Sequence, residues 1–467
     1  MSHVLIDTAA TEPVHFVGIG GAGMSALAEL FVRRGVRITG CDSGGGAEDL
    51  RHLGVPVQTG HDPSHVDGAR ALVVTSAMPK DHPELVKARS LGIPVIRRAE
   101  ALGEAVSGGE LVGVAGTHGK TTTTVMTTEA LTAAGLAPTG VAGGRVSAWG
   151  GNLSEGGNSL FVVEADEYDR SFLALTPTIA IVTTLEADHL DIYRDLDDIR
   201  DTFARYVAPA RFIVLCADDP GASTLPVPNT AEVIRYGIES PDARLVARDV
   251  QAEGIGSTFT VEYDGARLGS VRLVVPGLHN VRNALAAIAS GIALGATVPA
   301  MVPGLERFRG VERRFQHIGD VDGITIVDDY AHHPTEIRAT LQAARAAYPG
   351  RRVVVAFQPH LYSRTRDFAG DFGAALAGAD QVYLTELYPA REQPIPGVTA
   401  ALVADAVVQS NGPLVWRGER SDLAEALSAG TAAGDVVLTV GAGDITRTGP
   451  ELVERLHRRT ASPAAAS

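Results

Sequence analysis

The chain has 467 residues, of which 45% are hydrophobic and 20% charged, and its formal net charge is −15. This length exceeds one ordinary domain and predicts two or three, each with enough apolar residues to bury a core. Such an acidic chain is a poor candidate for binding nucleic acid or anionic membranes, which require a basic surface. Because no apolar run could span a bilayer, the sequence predicts a soluble, cytoplasmic protein without membrane insertion.

The first predicted segment, residues 1–107, has a doubly wound α/β pattern. It predicts a strand over Val14–Val17, a helix over 24–34 and further strands over 36–40 and 71–75. The turn after the first strand reads 18-GIGGAG-23, and Asp42 follows the second strand. This pattern is typical of a dinucleotide site, but the same turn suits any nucleoside diphosphate. A redox cofactor and a nucleotide-linked substrate therefore both remain open from the residues alone.

A glycine linker at residues 107–109 precedes the second segment, 108–314, which begins with 115-AGTHGKTTTT-124. Gly116 and Gly119 would let backbone N–H groups approach an anion, Lys120 would supply charge for phosphates, and Thr121 a hydroxyl for Mg²⁺. The loop departs from the usual G-x-x-x-x-G-K-[ST] pattern because Val114 stands at its first glycine. The alternative is that the four threonines only cap a helix, but the strand before the loop favours phosphate binding.

Two acidic stretches, 162-VVEADEYD-169 and 186-EADHLD-191, follow apolar strands of the same segment. The carboxyl ends of parallel strands form the ligand-binding edge of a sheet, so Glu164 and His189 could reach an ion beside the phosphate loop. Mg²⁺ prefers oxygen ligands, so a histidine would suit a second site that tolerates Mn²⁺. Taken singly, each stretch could instead be a solvated loop. Later in this segment, Asp264-Gly265 between alternating apolar runs predicts an antiparallel hairpin.

The third segment, 315–467, returns to alternating strands and helices and contains 328-DDYAHHPTE-336 and 357-FQPHLYSRTRDF-368. Its histidines and arginines would suit a small zwitterion or charge stabilisation during acyl transfer. For His332, His333 and His360 the alternative is an ordinary hydrogen-bonded loop histidine. The only two cysteines, at positions 41 and 216, are too far apart in sequence to indicate a disulfide framework or a metal-ligand spacing. No Cys/His spacing resembles a structural zinc site.

Assembled in order, these motifs resemble those of the Mur ligases of peptidoglycan synthesis. The resemblance covers nearly the whole chain through GIGGAGMSALA, GTHGKTTTT, VEADE, EADHLD, GLHNVRNALAA, GVERRFQ, DDYAHHPTE, FQPHLYSRTRDF and GAGDIT. It implies a Rossmann-like N-terminal domain for the UDP end of UDP-N-acetylmuramate, a central P-loop-type domain for ATP, and a Rossmann-like C-terminal domain for the amino acid. Within the family, the chain is most similar to members that attach L-alanine through an acyl phosphate. A ligase that recycles a cell-wall tripeptide and, less favoured, a dinucleotide-binding regulatory protein are the alternatives.

The resemblance also implies roles for individual residues. The diphosphate would lie on Gly18, Gly20, Gly21 and Gly23, and the uridine near Asp42 and Ser76. ATP would be held by Gly116, Thr117, Gly119, Lys120, Thr121 and Thr122, with Asn280 and Asn283 towards adenine and Arg313 and Asp328 near the phosphates. Mg²⁺, or Mn²⁺ at a second site, would take Thr121, Glu164 and His189. Tyr330, His332, His360 and Arg364 would face the alanine, and Lys120, His332, His360 and Arg364 would be catalytic.

Two departures from the family pattern affect these expectations. Many relatives have arginine where this chain has Leu361, so a contact with the amino-acid carboxylate would fall to Arg364 or another residue. Some sister ligases use a carbamylated lysine, but Lys120 is the only lysine after Lys87. The sequence therefore predicts an enzyme that does not depend on carbamylation, and it carries no signal for an oligomeric state.

Overall fold

The computed structural model describes residues 5–44, 47–75 and 78–461, which form three α/β domains in succession, each built around its own sheet. The predicted three-domain α/β class is confirmed. The predicted boundaries, 107/108 and 314/315, fall between the sheets. None of the described helices is both long and apolar enough to cross a membrane.

The N-terminal sheet has five parallel strands in the order β3-β2-β1-β4-β5. The strands are β1 (Val14–Val17), β2 (Ile38–Asp42), β3 (Val57–Thr59), β4 (Ala71–Val74) and β5 (Val95–Arg97). The helices are α1 (Ala22–Arg33), α2 (Glu48–His52), α3 (Pro83–Ser90) and α4 (Arg98–Val106). The chain reverses direction across the sheet between β1 and β4, so the carboxyl end of β1 opens onto a crevice of the kind that binds nucleotides.

The central sheet has ten strands in the order β15-β14-β13-β12-β11-β10-β6-β9-β7-β8. Its strands are β6 (Glu110–Ala115), β7 (Thr139–Val146), β8 (Gly151–Ser154), β9 (Leu160–Glu164), β10 (Ile179–Val182), β11 (Phe212–Cys216), β12 (Glu232–Gly237), β13 (Leu245–Glu253), β14 (Gly256–Tyr263) and β15 (Ala266–Leu273). Its helices are α5 (Lys120–Ala133), α6 (Leu196–Val207), α7 (Pro220–Ser223), α8 (Leu278–Ala293) and α9 (Val298–Arg307). The strands from β13 to β7 are parallel, whereas β14, β15 and β8 pair antiparallel.

The predicted hairpin is confirmed in this antiparallel part. Tyr263 pairs with Ala266 across the two-residue turn Asp264-Gly265, whose φ angles are +49° and +78°. Positive φ at both turn residues matches the right-handed twist of the flanking strands and explains the Asp-Gly sequence.

The C-terminal sheet has six strands in the order β16-β17-β21-β18-β19-β20, parallel except for β16. They are β16 (Gln316–Val321), β17 (Ile324–Asp329), β18 (Arg352–Phe357), β19 (Gln381–Thr385), β20 (Leu414–Gly418) and β21 (Asp435–Val440). The helices are α10 (Pro334–Ala347), α11 (Tyr362–Leu376), α12 (Ala400–Gln409), α13 (Arg420–Gly430) and α14 (Thr448–Ala461). The stretches predicted to face the amino acid follow β17 and β18, on the side of the sheet that meets the central domain.

Candidate active site

The phosphate loop connects the buried strand β6 to helix α5. Gly116 and Gly119 adopt φ angles of +135° and +81°, which side chains rarely tolerate. A Cβ at Gly116 would collide with the hydroxyl of Thr183, so close packing also requires glycine there. The backbone N–H groups of Thr117 and His118 donate to Thr184 at 2.9 and 2.8 Å. The loop is therefore fixed against the end of β10, and the strand–loop–helix arrangement expected for a phosphate cradle is present.

Lys120 opens helix α5 and points back into its own loop. Its Nζ donates to the carbonyls of Gly116 at 2.7 Å and Thr117 at 3.1 Å, and to Glu167 Oε1 at 2.9 Å. Burial opposes its charge, but the nearby carboxylates, led by Glu167, raise the pKa of Lys120. Burial raises the pKa of Glu167 itself to about 7, against the opposing effect of Lys120. Lys120 is thus a charged, preoriented cation, held by a carboxylate that the sequence analysis did not single out.

Two of the three residues predicted to bind metal lie in contact with each other. The Thr121 hydroxyl donates to Glu164 Oε1 at 2.9 Å, and the N–H of Gly143 donates to Glu164 Oε2 at 2.5 Å. His189 lies beside Glu167 instead, with its Nε2 3.7 Å from Glu167 Oε1. Its buried Nδ1 has no hydrogen-bond partner. A hydroxyl with a carboxylate fits Mg²⁺, and an unpartnered imidazole nitrogen would suit a softer ion such as Mn²⁺.

A cavity of about 440 Å³ opens between the phosphate loop, α8 and the C-terminal domain. Its size is within the usual range for small-molecule sites. Asn280 and Asn283 line it and are held in place: Thr123 donates to Asn283 Oδ1 at 3.1 Å, and Asn283 donates to Asn280 Oδ1 at 3.2 Å. Apolar walls come from Val275, Pro276 and Phe308. An apolar wall beside fixed amides and a phosphate loop is an arrangement that suits a purine nucleotide.

Arg313 and Asp328 are not among the residues that line this cavity; their chain neighbours Arg314 and Asp329 are. Asp328 is fully buried and accepts hydrogen bonds from Thr439 at 2.6 Å and Thr446 at 2.8 Å. Arg313 donates to the backbone carbonyls of Gly441 and Gly443. Successive side chains on a strand point to opposite faces, so Asp328 and Asp329 on β17 face different surroundings. An ATP contact of Arg313 or Asp328 stays a prediction.

His118 of the phosphate loop joins the central domain to the C-terminal domain. Its Nε2 lies 2.5 Å from Glu186 and its Nδ1 3.1 Å from Glu336 at the start of α10. Thr335 donates to the same Glu186 at 2.9 Å. Burial disfavours the charge on His118, but the two glutamates outweigh it and raise the pKa to about 10. The predicted site residues did not include His118, Glu186 or Glu336, although all three lie within the motifs AGTHGKTTTT, EADHLD and DDYAHHPTE.

The four residues predicted to face the amino acid lie together. The His332 ring donates to the carbonyl of Tyr330 at 2.9 Å, and its centroid is 6.2 Å from that of His360. Arg364 Nη1 lies 3.4 Å from His360 Nδ1. Burial is the main cause that lowers the pKa values of both His332 and His360 to about 3. Both imidazoles are therefore neutral and can accept hydrogen bonds from a substrate ammonium group.

Arg364 is itself engaged by the central domain. Its Nη2 donates to Asp188 Oδ1 at 2.8 Å, and each residue is only 5% exposed. Burial alone would raise the pKa of Asp188, but Arg364 and the neighbouring histidines hold it far below its usual value. Asp188 belongs to EADHLD, beside the predicted metal ligand His189, and was not singled out from the sequence.

The glycine-rich turn of the N-terminal domain is stabilised by the strand beside it. The N–H groups of Gly18 and Ile19 donate to the carbonyl of Cys41, and the N–H of Gly20 donates to Asp42 Oδ2 at 2.8 Å. At Gly23, a Cβ would approach the guanidinium of Arg98 to 2.9 Å. Arg98 thus supplies a cation at the predicted diphosphate turn, which the sequence analysis missed. Gly21 caps helix α1, and Ser76 lies outside the described residues.

Family models match three successive parts of the chain. The model of the Mur ligase family catalytic domain covers residues 13–109, the Mur ligase middle domain 114–291, and the Mur ligase glutamate ligase domain 313–443. The UDP-N-acetylmuramate–L-alanine ligase of Cutibacterium acnes is 46% identical over 458 residues, which cover 96% of this chain and 97% of that protein.

Solved structures agree in fold over the same length. The UDP-N-acetylmuramate-alanine ligase MurC of Thermotoga maritima matches with a TM-score of 0.81 and 31% identity, covering 97% of this chain and 100% of that one. A murein peptide ligase from Psychrobacter arcticus matches with a TM-score of 0.71 and 25% identity, covering 95% and 98%. The fold and cleft therefore define a multidomain nucleotide-binding α/β enzyme. The chain belongs to the Mur ligase family, as the sequence motifs predicted.

Proposed function

We propose that this protein is an ATP-dependent ligase that joins L-alanine to the lactyl carboxylate of UDP-N-acetylmuramate, in the synthesis of peptidoglycan precursors. The observation that carries this proposal is the near full-length similarity to ligases of that name, such as the 46% identical protein of C. acnes. The cleft has the size of a small-molecule site, so we expect the substrates to be small molecules of the cytoplasm. We expect no binding of nucleic acid and no membrane insertion.

The three domains divide the substrates between them. The N-terminal turn of Gly18, Gly20, Gly21 and Gly23 lets the diphosphate approach the backbone closely and places Arg98 beside it, with Asp42 near the uridine. The central phosphate loop takes the ATP phosphates, and Asn280 and Asn283 face the adenine. The C-terminal cluster of Tyr330, His332, His360 and Arg364 receives the alanine.

In the first chemical step, a carboxylate oxygen of the muramate attacks the γ-phosphorus of ATP, giving an acyl phosphate and ADP. Lys120 offsets negative charge on the transferred group, because its ammonium is charged and already oriented. Mg²⁺ would be held by Thr121 and Glu164, and a second ion by His189. The ions supply further charge neutralisation for the phosphates.

In the second step, the amine of alanine attacks the acyl carbon through a tetrahedral intermediate, and phosphate leaves. The alanine ammonium must first lose a proton to solvent to become a nucleophile, and the nitrogen loses a second proton as the intermediate collapses to the amide. His332 and His360 are neutral and can orient the amine by accepting its hydrogen bonds, while Arg364 stabilises negative charge near by. The contacts of His118 and Arg364 across the domain seam would exclude water, which protects the acyl phosphate from hydrolysis.

The test measures phosphate release from ATP with Mg²⁺ and UDP-N-acetylmuramate, offering L-alanine, glycine, L-serine or the cell-wall tripeptide in turn, with mass detection of the product. Phosphate release that needs both substrates, with a product heavier by one alanine residue, is expected. If only the tripeptide is joined, the protein is a recycling ligase. If nothing is joined and NADH binds, the dinucleotide-binding alternative is correct.

A further inference from the structure

A cluster of potential metal ligands, largely buried except for the exposed His61, lies in the N-terminal domain, outside the ATP and alanine sites. Its centre is Glu84 of α3, whose side chain is completely buried. Around this carboxylate lie Cys41 of β2 and three histidines, His61, His65 and His82. The ion pairs of Glu84 within the described residues are all with these histidines. The N–H of Asp62 also donates to Glu84 Oε1 at 3.1 Å, so the carboxylate is surrounded by a thiol, imidazoles and one backbone donor.

Three atoms of the cluster already form an almost equilateral triangle. Cys41 Sγ is 3.4 Å from His61 Nδ1 and 3.4 Å from Glu84 Oε2, and His61 Nδ1 is 3.4 Å from Glu84 Oε2. Ligand atoms bound to a tetrahedral Zn²⁺ ion at about 2.0–2.3 Å lie about 3.3–3.8 Å from one another. The triangle thus has the dimensions of one face of a zinc coordination tetrahedron.

His15 supplies a fourth candidate ligand with a free ring nitrogen. It is fully buried on β1, and one of its ring nitrogens lies within 4.8 Å of both Cys41 and Glu84 ligand atoms. Its Nδ1 is 2.8 Å from the Thr39 hydroxyl, whereas its Nε2 is buried with no hydrogen-bond partner. A second contact that fixes the tautomer and leaves the other nitrogen free is the usual environment of a metal-bound histidine.

We propose that His15, Cys41, His61 and Glu84 form a site for one divalent transition-metal ion of the zinc class. One thiolate, one carboxylate and two neutral imidazoles would balance the two positive charges of the ion. The residues around them act as outer partners: His65 Nδ1 lies 2.9 Å from Glu84 Oε1, and the His82 ring packs edge-on to His61. The ligands come from separate elements, which explains why no short Cys/His spacing indicates the site.

The position of the site suggests a structural role for the ion. Cys41 binds the glycine-rich turn through its carbonyl, and the next residue, Asp42, accepts the N–H of Gly20. A metal bound to the Cys41 sulfur would fix the carboxyl end of β2. It would hold the turn in place before the nucleotide arrives, without taking part in the transfer of phosphate.

The test uses the full chain, stripped of metal with a chelator and titrated with Co²⁺ and, in parallel, with Zn²⁺. We expect one equivalent of Co²⁺ to develop a thiolate-to-Co²⁺ charge-transfer band, and Zn²⁺ to displace it. Cys41→Ser should abolish the band, whereas the matched variant Cys216→Ser, which changes the only other cysteine, should retain it. Thr39→Val should weaken Zn²⁺ binding about 10- to 100-fold and leave the band unchanged.

Other clusters of the protein could also take up these ions, so they provide controls. His333→Gln alters the group formed by His118, Glu186 and His333, and Glu164→Gln alters the predicted Mg²⁺ site; neither should change the thiolate band. A band that survives Cys41→Ser would overturn the proposal. If that variant does not fold, X-ray absorption at the zinc edge of the unmodified chain decides the question: one sulfur among nitrogen and oxygen ligands supports the site, and no sulfur refutes it.

Discussion

Arg364 of the C-terminal domain and Asp188 of the central domain form a buried ion pair, with Arg364 Nη2 2.8 Å from Asp188 Oδ1. The pair lies between the alanine-side histidines and the cluster around Lys120. It therefore joins the two domains between the proposed sites for ATP and alanine. A buried charge that loses its partner costs about 3–5 kcal/mol, so the pair is a strong determinant of how the domains close.

We predict that Asp188→Asn favours an open arrangement of the domains and lowers kcat about tenfold or more. The reason is that the unpaired Arg364 guanidinium is more stable in contact with solvent than buried. Small-angle X-ray scattering of the free protein should show a larger radius of gyration. Asp264→Asn is the matched control because it removes a carboxylate from an exposed pair with Arg244. An unchanged radius and rate in Asp188→Asn would show that the pair does not control closure.

The raised pKa of His118 should make the free energy of unfolding depend on pH. Its pKa is raised from an ordinary value near 6.5 to about 10 by Glu336 and Glu186. Because the folded-state pKa is the higher one, the stabilisation is fully present below about pH 6.5 and is lost as pH rises towards 10. The free energy of unfolding of the wild type should fall over this range in urea titrations.

The test variant is His118→Gln, which removes the charge of the imidazole, and His317→Gln is its control. His118→Gln should be less stable than the wild type at pH 6.5 but should show a flatter decline towards pH 9.5. His317→Gln, which changes a half-exposed histidine paired with Asp320, should keep the wild-type slope. Parallel pH profiles for wild type and His118→Gln would contradict the raised pKa.

Local sequence patterns predicted much of this architecture, because a strand, a glycine turn and a helix are specified by neighbouring residues. The strand Val14–Val17 and the hairpin at Asp264-Gly265 are examples. The strands at the edge of the central sheet were harder to predict from the sequence. Strands β7 and β8 contain Gly140, Gly143, Gly144 and Gly151, which weaken the alternating pattern that marks a strand, and their pairing depends on the sheet already present.

The sequence predicted which stretches form the site, but it predicted fewer of the individual residues. Motifs selected the stretches EADHLD and DDYAHHPTE, but Asp188 and Glu336 gain their partners only when separate domains meet. Likewise, the direction in which a strand side chain points decides that Asp329, and not Asp328, lines the cavity. Such long-range pairings leave no periodic signal in one sequence.

The Lys120–Glu167 contact makes a further prediction about catalysis. Glu167→Gln keeps the shape of the side chain but removes the carboxylate that orients Lys120, so kcat should fall about tenfold while the affinity for UDP-N-acetylmuramate stays unchanged. Steady-state rates with varied ATP would measure the effect. Asp201→Asn, on the exposed face of α6, is the control, and a wild-type kcat in Glu167→Gln would refute the orienting role.

The chain has no lysine after Lys120, and the Nζ of Lys120 is already engaged by two carbonyls and Glu167. A carbamylated lysine is therefore not available to this site without loss of the phosphate-binding charge. We predict that ligation rates are the same in bicarbonate-free and bicarbonate-containing buffer. A marked loss of rate that bicarbonate restores would count against this prediction.

The carboxylate of the amino acid needs a cation, and Leu361 replaces the arginine that the family resemblance would supply. Arg364 uses Nε and Nη2 for Asp188, which leaves Nη1 beside His360. Arg391 lies 3.9 Å from Asp191, and its side chain is 43% exposed. Arg391 packs over Tyr168. Burial is the main cause that lowers the pKa of His360, and the charge of Arg391 adds to the effect. We predict that Arg391→Ala raises KM for L-alanine about tenfold or more with little change in KM for ATP. Arg366→Ala, which removes an exposed arginine of α11, should leave both constants unchanged, and an unaltered KM for alanine in Arg391→Ala would return the carboxylate contact to Arg364.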